Sequence, residues 1–153
     1  MVYEDLEHEI FKEGVEIINM RFKGKLKGLY GDSVIAIDPR IETYKERKCV
    51  LVEEIGHHYK TVGNITDNTK LENRKQEKLA RNWGYEKLVS IKHIIQAHEY
   101  GCKTAYEMAE YLDVTQEFLE EAIQHYREKY GMLIKIDDYT VYFEPRLGVL
   151  KMF

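Results

Sequence analysis

A glycine inside a charged helix sets the terms for this chain. Thr43-Tyr-Lys-Glu46 has the form of a capping box and opens the stretch Cys49-Val50-Leu51-Val52-Glu53-Glu54-Ile55-Gly56-His57-His58-Tyr59, so a helix is expected to run to about Tyr59-Lys60. On a helix Glu53 and His57 lie four apart and stack one turn above the other. Glu54 and His58 form a competing pair at the same spacing. The plain reading of such a string is a solvated face with i, i+4 pairing. Gly56 argues against it, because glycine in a helix interior costs about 1 kcal/mol relative to alanine and a surface helix has no use for it. A close backbone approach, by a strand or a substrate, explains the glycine.

The chain's 153 residues suffice for one domain or two small ones around a real core. A formal net charge of −4 argues against a binder of nucleic acid or anionic membrane that works by bulk charge. No run approaches the ~20 apolar residues of a membrane span. The first residues, Met-Val-Tyr-Glu-Asp-Leu-Glu-His-Glu, lack a signal peptide's apolar segment. Cys49 and Cys102 read as buried small hydrophobes rather than a disulfide, and the cytoplasm is the expected compartment.

Leu6, Ile10, Val15, Ile17 and Ile18 among charges predict an amphipathic helix over 4–20, despite Gly14. Gly28-Leu29-Tyr30, the turn Gly31-Asp32-Ser33 and Val34–Ile37 predict a β-hairpin closed by Asp38-Pro39. Residues 61–69 form a polar stretch of turn formers, the natural lid if activity needs a signal. Thr69-Lys-Leu-Glu72 then opens a long helix to about Tyr100, stopped by Gly101. On it Glu77, Ala80, Gly84, Leu88, Ile91 and Ile95 share one stripe, which turns Glu77 inward, with no evident basic partner on that stripe. Thr104 and Thr115 cap two further helices. Met132–Ile136 and Tyr139–Phe143 form a terminal hairpin, with a short tail strand at Val149-Leu150. The layout of 104–143 is that of a winged helix-turn-helix. However, 103–130 holds three basic residues against seven acidic, among them Glu117, Glu120 and Glu121. Such a helix repels phosphates, so a protein-docking or packing module is expected and no direct nucleic-acid contact.

The chemistry follows from the register of the motif. The zincin pattern H-E-x-x-H places two histidines on one helical face as zinc ligands, with the glutamate beside the first as general base. Here Glu53 stands at the first histidine, Glu54 at the base and His57 at the second histidine. The other register puts Ile55 at the base and supplies no catalyst. Glutamate-type zincins take a third ligand from a later helix, where Glu77 lies. The expected site is one divalent metal, zinc or another divalent ion, on Glu53, His57 and Glu77, with Glu54 as base of a water in the fourth position. His8, His93, His98 and His125 are scattered singly and read as surface or core-edge residues.

The residues then resemble a known family. Gly28–Asp38, Cys49–His57, Asn73–Ala80 and Trp83–Leu88 are similar to the ImmA/IrrE metallo-endopeptidases, in a branch carried by phages and mobile elements of Gram-positive bacteria. The likeness extends to Glu107–Val114 and Phe143–Leu150. It implies a metal-dependent endopeptidase that cleaves a partner protein, typically a helix-turn-helix repressor. In the family's active site His57 matches the second histidine, Glu54 the base and Glu77 the glutamate ahead of Ala80. Glu53 departs from it and makes a site of one histidine and two carboxylates, whose harder donors shift metal preference away from zinc. A second reading is a catalytically inactive relic that binds the same partner as an antirepressor. The expected fold is α+β and mostly helical: a zincin-like core over 1–100 with a small N-terminal hairpin bordering the motif helix, then a helix-turn-helix-like module with a C-terminal hairpin, 101–153, packed on the core.

Overall fold

The computed structural model describes residues 1–60 and 70–152, with side chains in the second span from residue 74 onward. The fold is α+β and mostly helical, as the sequence predicts. It divides into two compact units, Met1–Gly84 and Tyr85–Phe153. The polar stretch 61–69 and its capping Thr69 lie outside the described residues.

The first unit starts with α1 (Tyr3–Lys12), which buries Leu6 and Ile10. The helix predicted over 4–20 ends early, and Gly14 is the reason. Gly14 sits at φ +79° just past the end of the helix, with its N–H on Phe11 O and the Val15 N–H on Ile10 O. That is a Schellman stop, which glycine enters without the steric cost a Cβ would bring. Val15 is buried against it, and Glu16–Asn19 continue as strand β1 instead of helix. The predicted hairpin is present as β2 (Gly28–Gly31) and β3 (Val34–Ile37), joined through Asp32 and Ser33 at φ 48° and 61°. Two consecutive positive φ values make the tight turn whose twist suits paired strands. β1 pairs parallel with β3, giving the order β1-β3-β2, so β2 is an edge. Asp38 closes β3 and accepts from the Phe22 and Arg40 N–H groups and the Arg40 guanidinium, which holds its carboxyl well below the usual range.

Helix α2 (Tyr44–Lys60) spans the motif, and Thr43 Oγ1 caps it by accepting the Glu46 N–H at 3.2 Å. Lys48 is buried in it and donates to Met1 O at 3.0 Å. Helix α3 (Lys70–Leu88) crosses α2 at very short range. A Cβ on Gly56 would stand 2.3 Å from Ala80 O and 2.9 Å from its carbonyl carbon. Gly84 repeats the device more loosely, its Cβ position 3.1 Å from Val52 Cγ1. The glycine in the motif therefore answers to a second helix, where the sequence suggested a strand or substrate.

The long helix predicted to Tyr100 is broken after Leu88. Ser90 stops it by capping α4 (Ile91–Tyr100): its Oγ accepts the His93 N–H, and His93 Nδ1 accepts the Ser90 N–H. Helix α4 falls within the second of the two units. Gly101, at φ +115°, ends α4 as expected. Helices α5 (Ala105–Leu112) and α6 (Gln116–Tyr130) follow, with Thr104 and Thr115 as their caps. Strands β4 (Leu133–Ile136), β5 (Tyr139–Tyr142) and β6 (Gly148–Lys151) complete an antiparallel sheet in that order. Ile94, Leu119, Tyr126, Val141 and Phe143 form the unit's core, and the Tyr126 hydroxyl donates to Val89 O at 2.6 Å.

The Gly56 contact yields a direct test. Gly56→Ala gains about 1 kcal/mol in helix propensity but drives a methyl into backbone, an overpacking cost that exceeds the gain. A net loss of roughly 1–3 kcal/mol in urea unfolding is expected.

Candidate metal centre

Glu53 and His57 stack on one face of α2, as their spacing requires, and α3 brings Glu77 across to them. One ligand atom from each of the three lies within 4.8 Å of the other two. Two ligands bound tetrahedrally at about 2.1 Å stand about 3.4 Å apart, so small side-chain rotations would close this group on one ion. His57 presents Nε2, 3.2 Å from Glu77 Oε1. Among the described residues this is the group of donors fit for a metal, and the donor types suit a divalent ion.

The environment shifts each group. Burial penalises the charge on Glu54 and pushes its carboxyl up to about 7, with Glu53 and Glu77 adding repulsion and His57 opposing them. Burial likewise raises Glu53, against the pull of the Arg81 guanidinium. For His57 burial favours the neutral ring, but the Glu77 carboxylate and the charges on Glu54 and Glu53 outweigh it and raise the pKa. Glu77 is lowered, first by the hydrogen bond from His57. Loading a metal must therefore displace a proton from this cluster.

Two expectations about Glu77 change. Its side chain is half-exposed, at 46%, rather than inward. It also has a basic neighbour one turn along its own helix: Arg81 Nη2 lies 3.9 Å from Glu77 Oε2, and Arg81 Nε lies 3.1 Å from Glu53 Oε1. Sequence reasoning passed over Arg81, although its i, i+4 spacing from Glu77 was the available signal.

The competing register is resolved by its neighbours. His58 turns away from Glu54's cluster, its Nδ1 2.7 Å from the Tyr30 hydroxyl on β2. Tyr59 follows with its ring 5.1 Å from that of Trp83 on α3. Of the other histidines, His8 and His98 are exposed, His93 caps α4, and His125 pairs with Glu86 at 3.2 Å. The hairpin borders the motif helix as expected. A Cβ on Gly28 would lie 2.7 Å from Val50 Cγ1 and 3.3 Å from Glu54 Oε1, so β2 passes directly against Glu54.

A family model described as the IrrE N-terminal-like domain, Peptidase_M78, matches residues 10–124. The chain belongs to the Peptidase_M78 family. This agrees with the ImmA/IrrE resemblance of the sequence and gives the chain a metallopeptidase-type function, for which a metal is expected. A comparison with curated proteins finds no match. No helix among the described residues of this Peptidase_M78 chain is long and apolar enough to cross a membrane.

The Glu54 shift predicts a pH effect with a definite sign. Its folded pKa exceeds the ordinary 4.5, so the metal-free folded state binds the extra proton and loses stability as pH rises from about 4.5 to about 7. The loss attributable to this group is about 3 kcal/mol. Glu54→Gln, which cannot ionise, should flatten that part of the curve in chelator-treated protein, as read by urea unfolding across pH.

Proposed function

We propose that this chain is a metal-dependent endopeptidase whose ion is held by Glu53, His57 and Glu77, with Glu54 as general base. The carrying observation is Glu54 itself: a buried carboxyl raised to about 7, beside a three-donor group and against an edge strand. A carboxylic acid near neutrality is matched to taking a proton from a nucleophile and returning it to a leaving group. A divalent ion, zinc or another, supplies Lewis acidity toward a peptide carbonyl and a water when bound.

The chain's own groups do the rest. Glu54 takes the proton of the attacking water and delivers it to the departing amine. Gly28, having no side chain, lets β2 lie directly against Glu54. As an edge of the order β1-β3-β2, β2 has one side unpaired within its sheet, which supports capture of an extended peptide as an added strand. The substrate we infer is a cytoplasmic partner protein, a helix-turn-helix repressor of a phage or mobile element. The acidic helices α5 and α6 suit a protein partner better than DNA.

One observation favours a second reading. Arg81 already satisfies Glu53 as an ion pair, as it would in a non-catalytic antirepressor that binds the same repressor. Incubating the protein with the repressor encoded beside it, with and without chelator, separates the two. Fragments that form only without chelator are expected. A stable complex without fragments, from protein shown to hold metal, would sink the peptidase reading. Glu54→Gln should lower cleavage by about 100- to 10,000-fold with metal content unchanged, while Glu77→Ala should lose the metal.

A further inference from the structure

The replacement of a histidine by Glu53 leaves a charge to be accounted for. The H-E-x-x-H pattern with a glutamate as third ligand carries two carboxylates, the base and that ligand, and two neutral rings. This site carries three carboxylates, Glu53, Glu54 and Glu77, and one ring, His57. It is therefore more negative by one unit. The structure supplies one positive unit at the same place. Arg81 reaches from α3 to Glu53 Oε1 through Nε at 3.1 Å and toward Glu77 Oε2 through Nη2 at 3.9 Å.

The two carboxylates divide their oxygens among Arg81, His57 and each other. Glu77 turns Oε2 toward Arg81 and Oε1 toward His57 Nε2 at 3.2 Å. Glu53 gives Oε1 to Arg81 and also shares a side-chain hydrogen bond with Glu77. Arg81 is about half-exposed, at 54%, and so flanks the donor group from the solvent side. A planar guanidinium can span two carboxylates in this way, where a lysine offers a single point. Stability alone is a poor reason for the arrangement, because exposed ion pairs contribute roughly 0–1 kcal/mol.

We propose that Arg81 is the charge partner of Glu53 in the metal-loaded site, so that the Glu53–Arg81 pair stands in net charge for the neutral histidine of the family pattern. The inference rests on the metal-site reading above. Arg81 is a positioning and charge-balancing residue, not a catalytic one. It eases the repulsion between two carboxylates held close on different helices. It also opposes the divalent ion, so that affinity is held below what three carboxylates would give and the ion keeps more of its Lewis acidity.

The test is zinc affinity, measured by competition with a chromophoric chelator in the full chain. Arg81→Gln should bind zinc about tenfold more tightly, the size of one unit charge opposing a divalent ion across about 6 Å in water-like surroundings. Arg81→Lys, which keeps the charge, should stay within about threefold of the parent. In a Glu53→His background the guanidinium opposes the ion with no carboxylate at position 53 to offset it, so the Arg81→Gln gain should be at least as large as in the parent. Equal or weaker zinc binding by Arg81→Gln, with folding verified by circular dichroism, would overturn the proposal, as would an effect that shrinks beside His at 53. A parent protein that binds no zinc, cobalt or manganese would overturn the metal site and this proposal together. A parent that binds metal with Arg81→Gln unchanged would overturn this proposal alone.

Discussion

Gly56 of α2 packs so tightly on the backbone of Ala80 on α3 that a methyl there would stand 2.3 Å from a carbonyl oxygen. The rest of the site depends on that contact. His57 follows Gly56 on α2, and Glu77 precedes Ala80 by one helical turn on α3. Wherever the two backbones touch, these two side chains must lie on either side of the same small space. Their 3.2 Å separation is thus a consequence of helix packing. Interiors close-packed to this degree do not open by a fraction of an ångström without losing contacts along the whole crossing.

Electrostatics then act on what the packing has assembled. Three carboxylates and an imidazole share a partly buried space, and their shifts are mutual. Burial raises Glu54 and Glu53, His57 is raised by its acidic neighbours, and Glu77 is lowered by His57. Such a cluster, with pKa values driven apart, marks functional sites more often than structural ones. Arg81 on the rim keeps the excess negative charge from being larger.

Much of this was legible in the sequence, and the reasons are specific. The four-residue spacing of Glu53 and His57 dictates a shared face, and Thr43 signals the helix that carries them. The Asp32-Ser33 turn between apolar runs marks the hairpin. What escaped was governed by competition between local and tertiary effects. Gly14 was tolerated in a helical pattern where it acts as a stop, so β1 was missed. Ser90 interrupts a stripe whose periodicity runs on across it from Leu88 to Ile91, and a capping residue has no hydrophobic signature to betray it. The partner of Gly56 could not be named, because a glycine reveals that something comes close without revealing what. Arg81 was missed because its second carboxylate, Glu53, is 28 residues distant in the chain.

The contact between the Tyr59 and Trp83 rings has a use of its own. Trp83 is the chain's one tryptophan, and its ring centroid lies 5.1 Å from that of Tyr59 at an interplanar angle of 31°. The two rings belong to α2 and α3, and both lie beyond the donors on their helices: Tyr59 two residues past His57, Trp83 six past Glu77. The molecule thus carries a native optical probe of the distance between the helices that frame the ion, and indole emission can follow them without any added label.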